Sequence, residues 1–251
     1  MDLTPVLIFG IALIRPSVLV VSTPLFGGTY APAPVKIGLI VVLAVFMAPM
    51  IGLPRRVEPG QFVVLVAHEG MIALALSMSV RLLIAGAELG GHLSGFQMGL
   101  SYAALVDPQS GVRNNVLAAL YASLAVIVFL LTNAHHDVLR AMAASYTALP
   151  IGGGSVADSL GGLVARMFGL MFTLGVRLAA PMIITLLLVE IALGVMSRVA
   201  PTLNLLVNAA PVRLLVGWMV LALTLHVLPG LMTRAFPQAL SLGAKTAAAL
   251  H

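Results

Sequence analysis

The chain has 251 residues, of which 61% are hydrophobic and only 8% charged, with a formal net charge of +5 and no cysteine. Soluble domains carry roughly 25% charged residues, so with a mean hydropathy of +1.12 and a pI near 10.2 this chain reads as an integral membrane protein or part of a very apolar assembly. Its basic residues are scattered singly except at Arg55-Arg56, which argues against nucleic-acid binding, and the lack of cysteine excludes disulfides, iron–sulfur clusters and thiolate-bound zinc.

The first apolar run, about Leu3 to Val21, lacks a positive leader and follows Asp2, so a retained segment is expected. It holds Arg15-Pro16. A charge at that depth costs about 2.5–3.5 kcal/mol on insertion scales, so Arg15 either snorkels to an interface or faces protein or water inside an assembly. A Pro/Gly-rich connector, Ser22 to Pro34, leads past Lys36 to a second run, Ile37 to Leu53, roughly 25 Å long as a helix. The third run, Phe62 to Ala87, is interrupted by His68-Glu69 and Arg81. His68-Glu69 begins like a zinc-protease HExxH, but Ile72 stands where the second His belongs. Glu69 is therefore expected to meet a partner group inside a bundle.

Gly86 to Asn115 is the unusual stretch. Gly91, Gly95, Gly99 and Ala103 recur every fourth residue, a small-residue stripe that admits another backbone closely. Asp107-Pro108-Gln109-Ser110-Gly111 then signals a turn. His92, Gln97, Ser101, Tyr102 and Asp107 need partners at membrane depth, where irregular polar backbone survives only inside protein or along a cavity. The segment is expected to line or plug a passage.

Val116 to Thr132 is a clean hydrophobic run ending at Asn133-Ala134-His135-His136-Asp137, read as a solvated loop. Leu139, Met142, Ala143, Tyr146 and Leu149 recur at helical spacing and predict a short amphipathic helix, stopped by Pro150-Ile151-Gly152-Gly153-Gly154. No Gly-Lys-Ser/Thr follows those glycines and no GxSxG elbow is present, so enzymatic chemistry is not expected. Leu160 to Met196 would make one helix of about 55 Å, well beyond a hydrocarbon core of roughly 30 Å. Pro181 is expected to kink it, and Arg166, Arg177 and Glu190 interrupt it. A turn at Ala200-Pro201 leads to the last run, Val212 to Val227 with Trp218, and a short tail from Met232 to His251.

Counted as six alternating spans with the N-terminus outside, the chain places Lys36, Arg113, Arg198 and Arg213 inside. Arg55, Arg56, Arg140, Arg234 and Lys245 then fall outside, and the positive-inside rule returns no orientation. A chain buried largely among other apolar subunits escapes that rule. Arg15, Glu69, Arg81 and Glu190 are the candidates for buried or assembly-forming charges.

The stretch GHLSGFQMGLSYAALVDPQS closely resembles the signature of the FliR family, a subunit of the flagellar type III export gate with a counterpart in virulence injectisomes. Gly95, Gln97-Met98-Gly99, Ser101-Tyr102-Ala103 and Asp107-Pro108 match the family's pattern, while His92 stands where its Glu belongs. Arg15, Thr23-Pro24-Leu25-Phe26, Pro32, Val35-Lys36, Gly38-Leu39, Leu149-Pro150-Ile151-Gly152, Arg198-Val199-Ala200-Pro201, Asn204 and Pro211 extend the likeness over nearly the whole chain. The resemblance implies an all-α, membrane-associated fold of kinked helical hairpins. A FliP-like part (1–158, with a pore loop at about 95–115) would precede a FliQ-like hairpin and short tail (159–251).

It further implies FliP-like and FliQ-like partners, FlhA- and FlhB-type export proteins, unfolded protein substrates, a place in the bacterial inner membrane at the flagellar basal body, and no cofactor or nucleic acid. Met98, Gly99, Leu100, Ser101, Tyr102, Ala103, Leu105, Asp107 and Pro108 would form the plug, with Gly91 and Gly95 packing helices. The alternative is a small multi-span permease using Glu69, Arg81, His92 and Glu190. An intramembrane protease would have only Ser155 with His135 or His136.

Overall fold

The computed structural model describes residues 4–23, 31–51, 59–100, 115–151, 157–199 and 205–250. Every regular element among them is helical: α1 (Thr4–Ser22), α2 (Ala33–Met47, continued by a 3-10 turn, Ala48–Met50), α3 (Pro59–Gln97), α4 (Val116–Leu131), α5 (Ala134–Ala148), α6 (Leu160–Val199) and α7 (Leu205–Ala248). The all-α class is as the sequence leads one to expect. Four of these helices are long and apolar enough to cross a membrane, or five spans if the bent pair α4–α5 counts as one. The six-span count thus overstates the described chain. The apolar part of α1 is short, and α4 needs α5 to make up a span.

Two local expectations change. Asn133 to Asp137 is not a loop, because the chain turns within Thr132 and Asn133 and α5 begins at Ala134. Asn133 makes this possible by adopting a left-handed conformation (φ 56°) that asparagine tolerates better than most residues. Leu160 to Val199, with Pro181 inside it, is a single 40-residue helix, in keeping with the length of its apolar run. The last run and the tail are likewise one helix, α7, of 44 residues. Apolar side chains on most faces and strong helix formers carry these elements through their prolines and glycines, since within an apolar medium backbone groups must pair internally.

The chain folds as two compact units, Met1–Leu83 with Phe129–Gly169 and Ala235–His251, and Ile84–Val128 with Leu170–Arg234. In the first, Ile72, Ala75 and Leu76 of α3 pack with Leu149, Ala247 and Leu250. The end of α7 docks there. Gly243 lies against Ser79 and the Ala75 carbonyl, His68 Nε2 is 2.6 Å from the Leu250 carbonyl oxygen, and the Ala157 N–H donates to the Ala249 carbonyl at 2.8 Å. In the second unit, Leu174, Leu178, Met182 and Leu186 of α6 are buried, at the four-residue spacing of one helix face, together with Val220 and Leu221 of α7. The chain leaves wide apolar faces open, among them Val42, Val45 and Phe46 on α2, and Ile184, Leu188 and Ile191 on α6. Such faces suit lipid or other apolar protein rather than water.

Candidate functional site

Two constellations carry the chemistry of this chain, one in each unit. In the first unit Arg15 is wholly buried, as is Glu69. Arg15 Nε and Nη2 donate to the two carboxylate oxygens of Glu69 at 2.5 and 3.2 Å. Nη1 donates to Ser145 Oγ at 2.8 Å, and Nη2 also reaches the Leu149 carbonyl at 2.9 Å. The guanidinium carbon sits 4.4 Å from the centre of the Tyr146 ring, within cation–π range. Arg15 therefore does not snorkel. A planar fork with fixed donor directions fits a carboxylate in this bidentate way, which a lysine could not do. One network thus ties α1, α3 and α5 to the carbonyl that ends α5.

In the second unit the closing turns of α3 meet α4, α6 and α7. A Cβ at Gly86 would lie 2.7 Å from the Met171 carbonyl oxygen, and one at Gly90 would lie 2.9 Å from Leu178 Cβ. From the other side, a Cβ at Gly175 would lie 2.9 Å from the Gly86 carbonyl oxygen. Gly91 faces α4, where a Cβ would come within 2.5 Å of the Leu117 carbonyl oxygen and 2.6 Å of Ala118 Cα. These are close helix crossings that only glycine allows.

The helix then ends in a Schellman cap. Leu100 N–H bonds to the Gly95 carbonyl and Gly99 N–H to the Phe96 carbonyl, each at 3.0 Å, with Gly99 at φ 82°. Met98 is buried and covers Gly217 of α7, while Leu100 is exposed. At the far end of the 101–114 segment, Asn115 caps α4: its Oδ1 accepts the Leu117 N–H at 3.0 Å. Its Nδ2 donates to the His92 carbonyl of α3 at 3.2 Å. Its amide group occupies the space a side chain at Gly95 would need. Both ends of the 101–114 segment are therefore anchored on the last turns of α3.

Of the plug residues, Ser101, Tyr102, Ala103, Leu105, Asp107 and Pro108 lie outside the described residues. Arg81 is exposed on the chain's own surface, and Glu190 accepts from Arg213 Nη2 at 3.0 Å. His92 is half-exposed beside Glu88, 3.8 Å away one turn earlier. Sequence reasoning missed Gly86, Gly90, Gly175, Gly217, Ser145 and the clasp made by Asn115. Three of these had a legible signal: Gly86 and Gly90 stand four apart, the small-residue spacing of close helix packing, and Asn115 immediately precedes an apolar helical run.

Comparison with known proteins agrees with this architecture. Residues 6–239 match the family described as bacterial export proteins, family 1. The chain is 34% identical over 219 residues to the flagellar biosynthetic protein FliR of Pectobacterium carotovorum, covering 86% of this chain and 83% of the relative. It is 31% identical over 234 residues to the flagellar biosynthetic protein FliR of Bacillus subtilis, covering 90% and 88%. The Yop proteins translocation protein T of Yersinia pestis is 24% identical over 198 residues, covering 77% and 74%. With its membrane-length apolar helices, this chain belongs to the bacterial export proteins of family 1, a family of export-apparatus components rather than enzymes.

Proposed function

We propose that the chain is the FliR-type subunit of a type III export gate. With FliP-like and FliQ-like subunits it would form and plug the channel that passes unfolded flagellar substrates through the bacterial inner membrane at the basal body. FlhA- and FlhB-type proteins would be its neighbours in the apparatus. Within the chain, 1–158 would correspond to the FliP-like part and 159–251 to the FliQ-like hairpin. The observation that carries the plug is the double anchoring of the 101–114 segment. The Gly99 cap releases the chain from α3, and the Asn115 clasp returns it to the same turns. A segment anchored at both ends can project into a passage without being lost from it. The residues of the proposed plug suit a seal: Leu100, Tyr102 and Leu105 would obstruct and exclude water, Met98, just before the segment, would adapt to varied neighbours, and Asp107-Pro108 would shape the turn.

The exposed apolar faces of α2, α6 and α7 fit a subunit surrounded by other helices or lipid. Arg15, Glu69, Arg81 and Glu190 would serve assembly, the first two by holding the subunit in one shape. The permease alternative is the weaker reading, because its carboxylates Glu69 and Glu190 are already paired with Arg15 and Arg213. Deleting Leu100 to Leu105 tests the plug. Membranes carrying the assembled gate are expected to leak ions, and an unchanged leak with assembly intact would remove the role. Transport of solute by the chain without FliP-like and FliQ-like subunits would favour the permease instead.

A further inference from the structure

Beside the point at which the chain leaves α3, one side chain is seated on one glycine. Met98 is 2% exposed. A Cβ at Gly217 would lie 2.7 Å from both Met98 Cγ and Met98 Cε and 3.0 Å from Sδ, so the thioether fills the volume that any side chain at 217 would claim. Gly217 stands within α7, where glycine costs about 1 kcal/mol relative to alanine. Helix propensity therefore argues against a glycine at 217, and room for Met98 argues for one. Met98 immediately precedes Gly99, whose left-handed conformation turns the chain out of the helix.

The contact is also of a kind that can open. Dispersion holds it, with no charge or hydrogen bond on the thioether, and an unbranched side chain can withdraw through rotamer changes without stranding a buried polar group. The charged, hydrogen-bonded Arg15 network is the opposite case. We propose that Met98 and Gly217 form a latch, with the methionine seated while the gate is closed and withdrawn while a substrate passes. Gly217 is thus a positioning residue on a helix remote in sequence from the plug. The proposal rests on the plug reading.

The natural absence of cysteine makes a direct test possible. The sulfur introduced by Met98→Cys would take the place of Met98 Cγ, 2.7 Å from a Cβ at position 217, which is compatible with a disulfide. A Met98→Cys/Gly217→Cys chain, co-expressed with its partner subunits in membranes, is expected to form a reductant-sensitive internal cross-link. Oxidation is expected to stop secretion of an export substrate and reduction to restore it, while secretion by each single-cysteine chain, whatever its level, does not respond to redox state. No cross-link in the assembled gate, or undiminished secretion by the cross-linked gate, overturns the latch. If the double variant does not assemble, Gly217→Ala, which unseats Met98 without altering any plug residue, decides: a raised ion leak in the resting gate supports the latch, and a wild-type leak overturns it. The Leu100 to Leu105 deletion, measured in parallel, separates the two ideas. A leaking deletion with unaffected cross-linked secretion removes only the latch. A non-leaking deletion removes the plug, whereas a redox-dependent block would still show that the 98–217 contact must part.

Discussion

The two units hold their helices together by opposite means. In the first, a fully buried ion pair with four hydrogen bonds from Arg15 joins α1, α3 and α5. In the second, glycines let α3 press closely against α4 and α6, and a methionine rests on Gly217. A buried charge network admits one arrangement, because any shift strands a charge in low dielectric. Close apolar contacts are strong in sum but undirected, so small displacements cost little at each step. The lesson is a division of labour. Rigidity is built where the chain must keep its shape, and adaptable contact lies beside the segment proposed to move.

Breaking the ion pair should have the largest effect. Glu69→Ala leaves the Arg15 guanidinium buried and uncompensated, a loss of about 3–5 kcal/mol, readable as lowered resistance of the purified chain to denaturing detergent. Arg15→Met with Glu69→Met is expected to recover most of that loss, since an apolar pair leaves no stranded charge. If the double variant is as unstable as the single one, the network is not what fixes the first unit.

Next comes Gly91→Ala. Its new methyl group would meet the Leu117 carbonyl and Ala118 Cα, and overpacking of this kind costs about 1–3 kcal/mol. Unlike Gly217, where a flexible side chain is the neighbour, Gly91 faces backbone that cannot step aside. Asn115→Ala removes a helix cap for a loss of about 0.5–2 kcal/mol. It also frees the return end of the 101–114 segment, so the resting leak of the assembled gate should rise together with the drop in stability.

The smallest effect carries the opposite sign. Gly194 has no neighbour within 4 Å of a would-be Cβ, so Gly194→Ala should stabilise the isolated chain by up to about 1 kcal/mol through helix propensity alone. Equal behaviour of Gly91→Ala and Gly194→Ala in melts of the detergent-solubilised chain would break the distinction between packing glycines and incidental ones.

Much of the fold is legible in the residues, and the misses share a cause. The apolar runs announce the helices, and Gly91 and Gly95 stand out by spacing. The two-histidine stretch misleads because polarity suggests a loop, whereas Asn133 compresses the turn into two residues. The tail misleads because Pro229-Gly230 resembles a stop, yet α7 runs on to dock at Gly243, Ala247 and Leu250. In both cases an apparent break is overridden by something the residue pattern does not show, a left-handed turn residue in the first and tertiary packing in the second.

By itself the sequence determined the apolar helical character of the protein, its family likeness and the oddity of a glycine-studded interval between hydrophobic runs. These are properties of composition, spacing and local pattern, which do not depend on knowing neighbours. Only the tertiary structure decided that Arg15 pairs with Glu69 rather than reaching for an interface, and that Met98 rests on Gly217, a glycine of a distant helix. Partners so far apart along the chain leave no periodic trace, and a glycine reveals what it makes room for only when the occupant is in place.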